Sequence, residues 1–80
     1  YHWQQDKGNH LLNSLRIRIQ HKFFVKHPNI AGLQDHALYE ALASLSGFTA
    51  LEIQQAWVEP CRNQSEFISY TKRLKKLWTI

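Results

Sequence analysis

The stretch HALYEALASLSGFTALEIQQAWVEP, residues 36–60, decides how the chain is read. Leu38, Leu42 and Leu45 fall at helical spacing, Tyr39 flanks them, and Ala41 and Ala43 allow close approach. Asp35 stands just before this run, where a short acidic side chain makes a good N-cap. Gly47 follows where helices commonly turn out through a left-handed residue. Thr49 and Glu52 then form T-x-x-E, the capping box in which each side chain satisfies a backbone donor, and Phe48 and Ile53 occupy the two ends of a hydrophobic staple. Pro60 stops the second helix near Glu59. The result is two short helices hinged at Gly47, with the outline of a helix-turn-helix.

Upstream, Leu12, Leu15, Ile19 and Phe23 mark a helix from His10 to Lys26, with Leu11 beside them and Asn9 as its cap. Arg16, Arg18, Lys22 and Lys26 fall mostly on the remaining surface, and Ile17 and Phe24 make a second apolar line. Gly8 and Asn9 punctuate the chain before this helix. His27-Pro28 ends it, because the residue before proline avoids helical backbone. A connector to Gln34 follows, from which Ile30 and Leu33 reach the core. Downstream, Asn63 and Glu66 repeat the capping box in weaker form. The last helix then buries Phe67, Tyr70 or Thr71, Leu74, Leu77 and Trp78. With no alternating β pattern, the expected fold is all-α: a compact bundle of about four helices around the central pair.

Eighty residues hold one core, so residues 1–80 form a single helical domain, and 44% hydrophobic residues suffice to build it. The chain begins at Tyr1 and contains no Met, which suggests a piece of a longer protein. Cys61 is alone, so no internal disulfide supports the fold. No apolar run approaches the ~20 residues that cross a bilayer.

The residues that could carry chemistry are dispersed. His2, His10, His21, His27 and His36 make no i, i+4 pair, and one cysteine supplies no CxxC, so neither a metal nor another cofactor is expected. Of the six acids, Asp35, Glu52 and Glu66 have duties at helix starts. The three glycines are isolated and form no phosphate loop. An enzyme is therefore not expected, and no small-molecule substrate is evident.

Ala43, Gly47 and Ile53 match the small, glycine and aliphatic positions of DNA-reading helix-turn-helix motifs, whose second helix enters the major groove. Gln54 and Gln55 would then read adenine. That helix carries Glu52 and Glu59 and no basic residue, which argues against it, since phosphate contacts dominate affinity. A nucleic-acid module is the alternative reading. The net charge of +4 is concentrated elsewhere: Lys72, Arg73, Lys75 and Lys76 crowd the exposed side of the last helix. Together with Tyr1 and Trp3 as exposed aromatics, they form the candidate partner surface, for an acidic protein or an anionic membrane.

The pattern Gly8…Leu11-Leu12…Leu15-Arg16, His27-Pro28 with Leu33, Leu42-Ala43…Gly47, Glu52-Ile53…Ala56 and Glu66-Phe67…Leu74…Leu77 covers most of the chain. It resembles the C-terminal segment of uncharacterised membrane-anchored proteins encoded beside MoxR-type AAA+ ATPases in bacteria. The resemblance implies a soluble, cytoplasmic tail of a larger inner-membrane protein that works with such an ATPase. It brings no catalytic residues. The expected function is a non-catalytic protein-interaction module.

Overall fold

The computed structural model describes residues 2–80. Its longest element is α1 (Gln5–Lys26), which starts five residues before the expected boundary at His10. Gly8 does not break it. Gly8 is buried inside the helix because Trp3 folds back over it: a Cβ there would lie 2.1 Å from the Trp3 ring. Nor is Asn9 a cap. It sits within α1 and reaches 52 residues along the chain, where its Oδ1 accepts from the Cys61 amide (2.8 Å) and its Nδ2 donates to the Cys61 carbonyl (3.0 Å).

Leu12, Ile19 and Phe23 form the buried stripe of α1. The second apolar line is not present as expected. Ile17 is 70% exposed, while Phe24 is half-buried with its ring edge-on to Trp57 at 5.8 Å between centroids. The flank beside the buried stripe is polar instead: Asn9, Asn13, Arg16 and Gln20 follow one another at i, i+4, i+7 and i+11.

His27 closes α1 with its amide on the Phe23 carbonyl (2.8 Å), and its own carbonyl accepts from Ile30 (3.0 Å) to start a single turn, α2 (Pro28–Ala31). Proline suits that first position, where no amide is needed. The stretch read as a connector thus holds a fifth helix. Ile30 is buried, as expected, but Leu33 stays at the edge, 37% exposed.

The central pair is α3 (Asp35–Ser46) and α4 (Ala50–Val58). Asp35 makes no capping hydrogen bond: it opens α3 with left-handed backbone at φ +50°, and Gln34 before it has no side-chain cap bond either. The buried stripe runs Leu38–Leu42–Ser46, with Ala43, so Leu45 is left 44% exposed. Ser46 fits in the core because its Oγ donates to the Leu42 carbonyl at 2.8 Å. Gly47 ends α3 at φ +83°, its amide on the Ala43 carbonyl at 2.9 Å. The capping box at Thr49 is complete: Glu52 N donates to Thr49 Oγ1 (3.1 Å) and Thr49 N to Glu52 Oε1 (2.9 Å). Ile53, Ala56 and Trp57 turn inward from α4, and Phe48 packs against the core before it.

The end of α4 is held by α1. Pro60 has no N–H for the Ala56 carbonyl, and the last carbonyls of any helix lack intrahelical donors. Arg16 supplies them. Its Nε donates to Ala56 O (2.8 Å), and its Nη2 to Gln55 O (3.0 Å) and to Glu59 O. Nη1 is steadied by Asn13 Oδ1 at 3.2 Å, and Gln20 adds a bond to Trp57 O at 3.3 Å. Arg16 was expected on the surface and is only 6% exposed. Burial pushes its guanidinium below the ordinary arginine range, against the pull of Cys61, Tyr70 and Glu59 nearby. A positive charge at a helix C-terminus also complements the dipole.

Asn63 caps α5 (Gln64–Trp78), its Oδ1 accepting from Glu66 N at 2.9 Å. Glu66 does not return the bond to Asn63. Its carboxylate instead takes the Arg62 amide (2.8 Å) and guanidinium (2.9 Å). Tyr70, Leu74 and Leu77 are buried. Thr71 is half-buried and Trp78, expected inside, is 40% exposed. The helices α1 and α5 run parallel: Trp3 meets Phe67 near their N-terminal ends (5.4 Å between centroids), and Lys22 lies over Trp78 near their C-terminal ends. Helix α4 packs against both α3 and α5. Among the described residues the fold is five helices and no strand.

Candidate docking surface

The four basic residues of α5 do not act as one group. Arg73 turns to α4, donating from Nη1 to Glu52 O and to Gln55 Oε1, both at 3.1 Å. It pins the two helices together and is half-buried. Lys75 lines a groove against α1, while Lys72 and Lys76 stand exposed farther round the helix. Trp3 is not an exposed aromatic: it is half-buried over Gly8 and against Phe67. Tyr1 lies outside the described residues. On α4, Gln54 is exposed, but the Gln55 side chain is already engaged by Arg73.

The seam between α1 and α5 carries two hollows. One, of about 470 Å³, is lined by Trp3, Lys7, Gly8, Leu11 and Phe67, together with His2 and Gln4. The other, of about 310 Å³, is lined by Leu15, Arg18, Ile19, Lys75 and Trp78. Leu11 is 60% exposed beside the first. At the second, Lys22 Nζ sits 3.9 Å from the centroid of the Trp78 ring, a cation–π contact that keeps the indole at the surface and the charge beside it.

The charge around the second hollow has one sign. Arg18, Lys22 and Lys75 have no carboxylate partner among the described residues, where the carboxylates within 4 Å of a basic side chain are Glu40, beside His36, and Glu66, paired with Arg62. No acid follows Asp6 in α1 or Glu66 in α5. Asp6 flanks the first hollow, near Lys7, His10 and Leu11, so the two ends of the seam differ. The helix packing produces this separation. Acids serve at helix starts, cations suit helix ends, and parallel packing gathers two cationic ends together.

The titratable groups with shifted behaviour lie elsewhere and have structural causes. Glu52 is held below the usual carboxylate range by the Thr49 amide and hydroxyl, and Glu66 by the Arg62 guanidinium and amide. Burial pushes the Cys61 thiol up, away from the thiolate a nucleophile needs, and Cys61 is fully buried. Among the described residues no three His, Cys, Asp or Glu side chains gather where they could hold a metal. No helix among them is long and apolar enough to cross a membrane.

Sequence reasoning missed Leu11, Leu15, Arg18, Lys22 and Trp78 as members of one surface. The available signal was the absence of any acid after Asp6 in α1 and after Glu66 in α5. Compared with protein-family models, curated proteins and solved structures, the chain matches none of them.

Proposed function

We propose that this chain is a non-catalytic protein-interaction module that presents the α1/α5 seam to a partner protein. The observation that carries the proposal is the apolar hollow floored by Leu15 and Ile19 and edged by Trp78, with Arg18, Lys22 and Lys75 around it and no carboxylate paired to them. An exposed tryptophan and arginine beside an apolar recess are the residue types that anchor protein contacts. The helix-turn-helix-like pair α3–α4 serves as scaffold in this reading. Arg16 and Arg73 both direct their donors to α4, which carries Glu52, ends at the C-cap Glu59 and has no basic residue. That distribution disfavours the nucleic-acid alternative, for which phosphate contacts would be needed.

The resemblance in the sequence supplies the biological setting: the cytoplasmic tail of a bacterial inner-membrane protein, working with a MoxR-type ATPase. The test uses a purified MoxR-type ATPase as the probe and the chain as bait. Arg18→Glu with Lys75→Glu should lower capture at least tenfold while the helical circular dichroism is unchanged. Arg73 is left intact because it holds α4. Undiminished capture by a folded variant removes the seam from the account. No capture by the unaltered chain removes the ATPase.

A further inference from the structure

We infer that the seam receives an acidic amphipathic helix of its partner, laid along α1 and α5 with apolar residues inward and carboxylates on its flanks; this rests on the docking reading above. Shape argues first. On α1 the hollows are lined by Lys7, Gly8 and Leu11 and by Leu15, Arg18 and Ile19, sets that repeat after seven or eight residues, which is about 10–12 Å at the rise of an α-helix. A helix presents the same face again after seven residues, so apolar side chains at i and i+7 would reach both hollows. No strand edge exists among the described residues to accept an extended peptide, so the helix-in-groove mode is the one this surface offers.

Charge argues second. Arg18 comes from α1 and Lys75 from α5, on opposite sides of the same hollow, and Lys22 covers Trp78 beside them. Over the second hollow a docked helix would therefore meet cations on both flanks, and carboxylates at those positions would pair with them as water is excluded. A second copy of this chain is a weaker occupant. Packed in parallel, seam against seam would bring Arg18, Lys22 and Lys75 face to face with the same cations, and packed antiparallel it would set these three cations against Asp6 beside the first hollow. A bilayer fits less well, because the second hollow is a recess floored by Ile19, 1% exposed, and Leu11 and Trp78 project only at the two ends of the seam, whereas membrane-binding helices present a continuous outward apolar face.

The test is direct binding to a labelled 18-residue helical peptide with leucines on one face and glutamates on both flanks. Two further probes are the same peptide with lysine in place of glutamate, and vesicles of phosphatidylglycerol. The acidic peptide should bind in the micromolar range and at least tenfold more tightly than its basic counterpart. Lys75→Glu with Arg18→Glu should weaken it at least tenfold. Leu51→Glu with Gln54→Glu, on the exposed face of α4, should change it less than threefold. Equal binding of the two peptides overturns the inference, as does vesicle binding without peptide binding. Self-association abolished by Lys75→Glu overturns it too, in favour of a second copy. If the acidic peptide does not bind while ATPase capture still depends on Arg18 and Lys75, only the acidic helix is refuted. If both fail, the docking reading falls with it.

Discussion

Arg16→Met removes every donor that α1 offers through this side chain while keeping an unbranched apolar stem. Gln55 O keeps its bond from the Glu59 amide at 3.1 Å, so its loss is partial. Ala56 O and Glu59 O lose their Arg16 donors, and Pro60 cannot replace the bond to Ala56. An orphaned buried carbonyl costs about 1–3 kcal/mol; Ala56 O carries that cost, while Glu59 O is only part-buried and regains some of it from water. The thioether returns part of this by packing, and the variant no longer desolvates a guanidinium, so a net loss of about 1–3 kcal/mol is expected. A chain of 80 residues holds about 4–12 kcal/mol in all. At about 4–8 °C per kcal/mol, the melting temperature should fall by about 5–25 °C. Urea titration followed by circular dichroism measures the change, with an unaltered slope showing that the unfolding reaction is the same. Arg16→Lys, with one ammonium in place of the fork, should fall between the two. A loss below about 1 kcal/mol for Arg16→Met would mean that α4 does not depend on α1 for its C-terminal cap.

Thr49→Ala removes the acceptor for the Glu52 amide and should cost about 1 kcal/mol in the same titration; a change under ~0.3 kcal/mol would place the start of α4 elsewhere. Gly8→Ala puts a methyl where the Trp3 ring lies, and Trp3 must swing away. Stability should then change by less than about 1 kcal/mol, because alanine's helix preference offsets the lost packing. The Trp3 indole N–H resonance should shift while those of Trp57 and Trp78 stay; an unmoved Trp3 signal counts against the contact. The pH dependence follows from Glu52 and Glu66, whose folded pKa values lie below the ordinary range. Their contribution is present above about pH 4.3 and is lost as pH falls through the lower folded values, so the melting temperature should drop below pH 4. Glu52→Gln with Glu66→Gln should flatten that drop, and an identical profile would show that other groups control it.

Local signals transferred best from sequence to structure. Gly47, Thr49 and Glu52 each find their hydrogen-bond partner within four residues, so their geometry depends little on the rest of the chain, and all three do what their spacing suggests. Asn9, Arg16 and Arg73 were misread for the opposite reason. Their partners lie 52, 40 and 21 residues away, and a polar residue on a helix looks the same whether it meets water or another helix's carbonyls. Gly8 looked like punctuation because nothing in YHWQQDKG says that Trp3 folds back on it. Trp78 was assigned to the core from its spacing after Leu74, but Lys22 meets its ring at the surface. The grouping of cations was half legible: Lys75 is visible in the basic run of α5, whereas Arg18 and Lys22 come beside it only through the parallel packing of α1 on α5.

The central claim is that the α1/α5 seam is the face that meets a partner. Site-specific photo-crosslinking in the intact cell tests it most directly. A photoreactive side chain is placed at Leu11 or Trp78 on the seam, and at Leu45 or Leu51 on the exposed faces of α3 and α4. Adducts of one size from Leu11 and Trp78, with none from Leu45 or Leu51, are the predicted result. Adducts from Leu45 or Leu51 alone would contradict it.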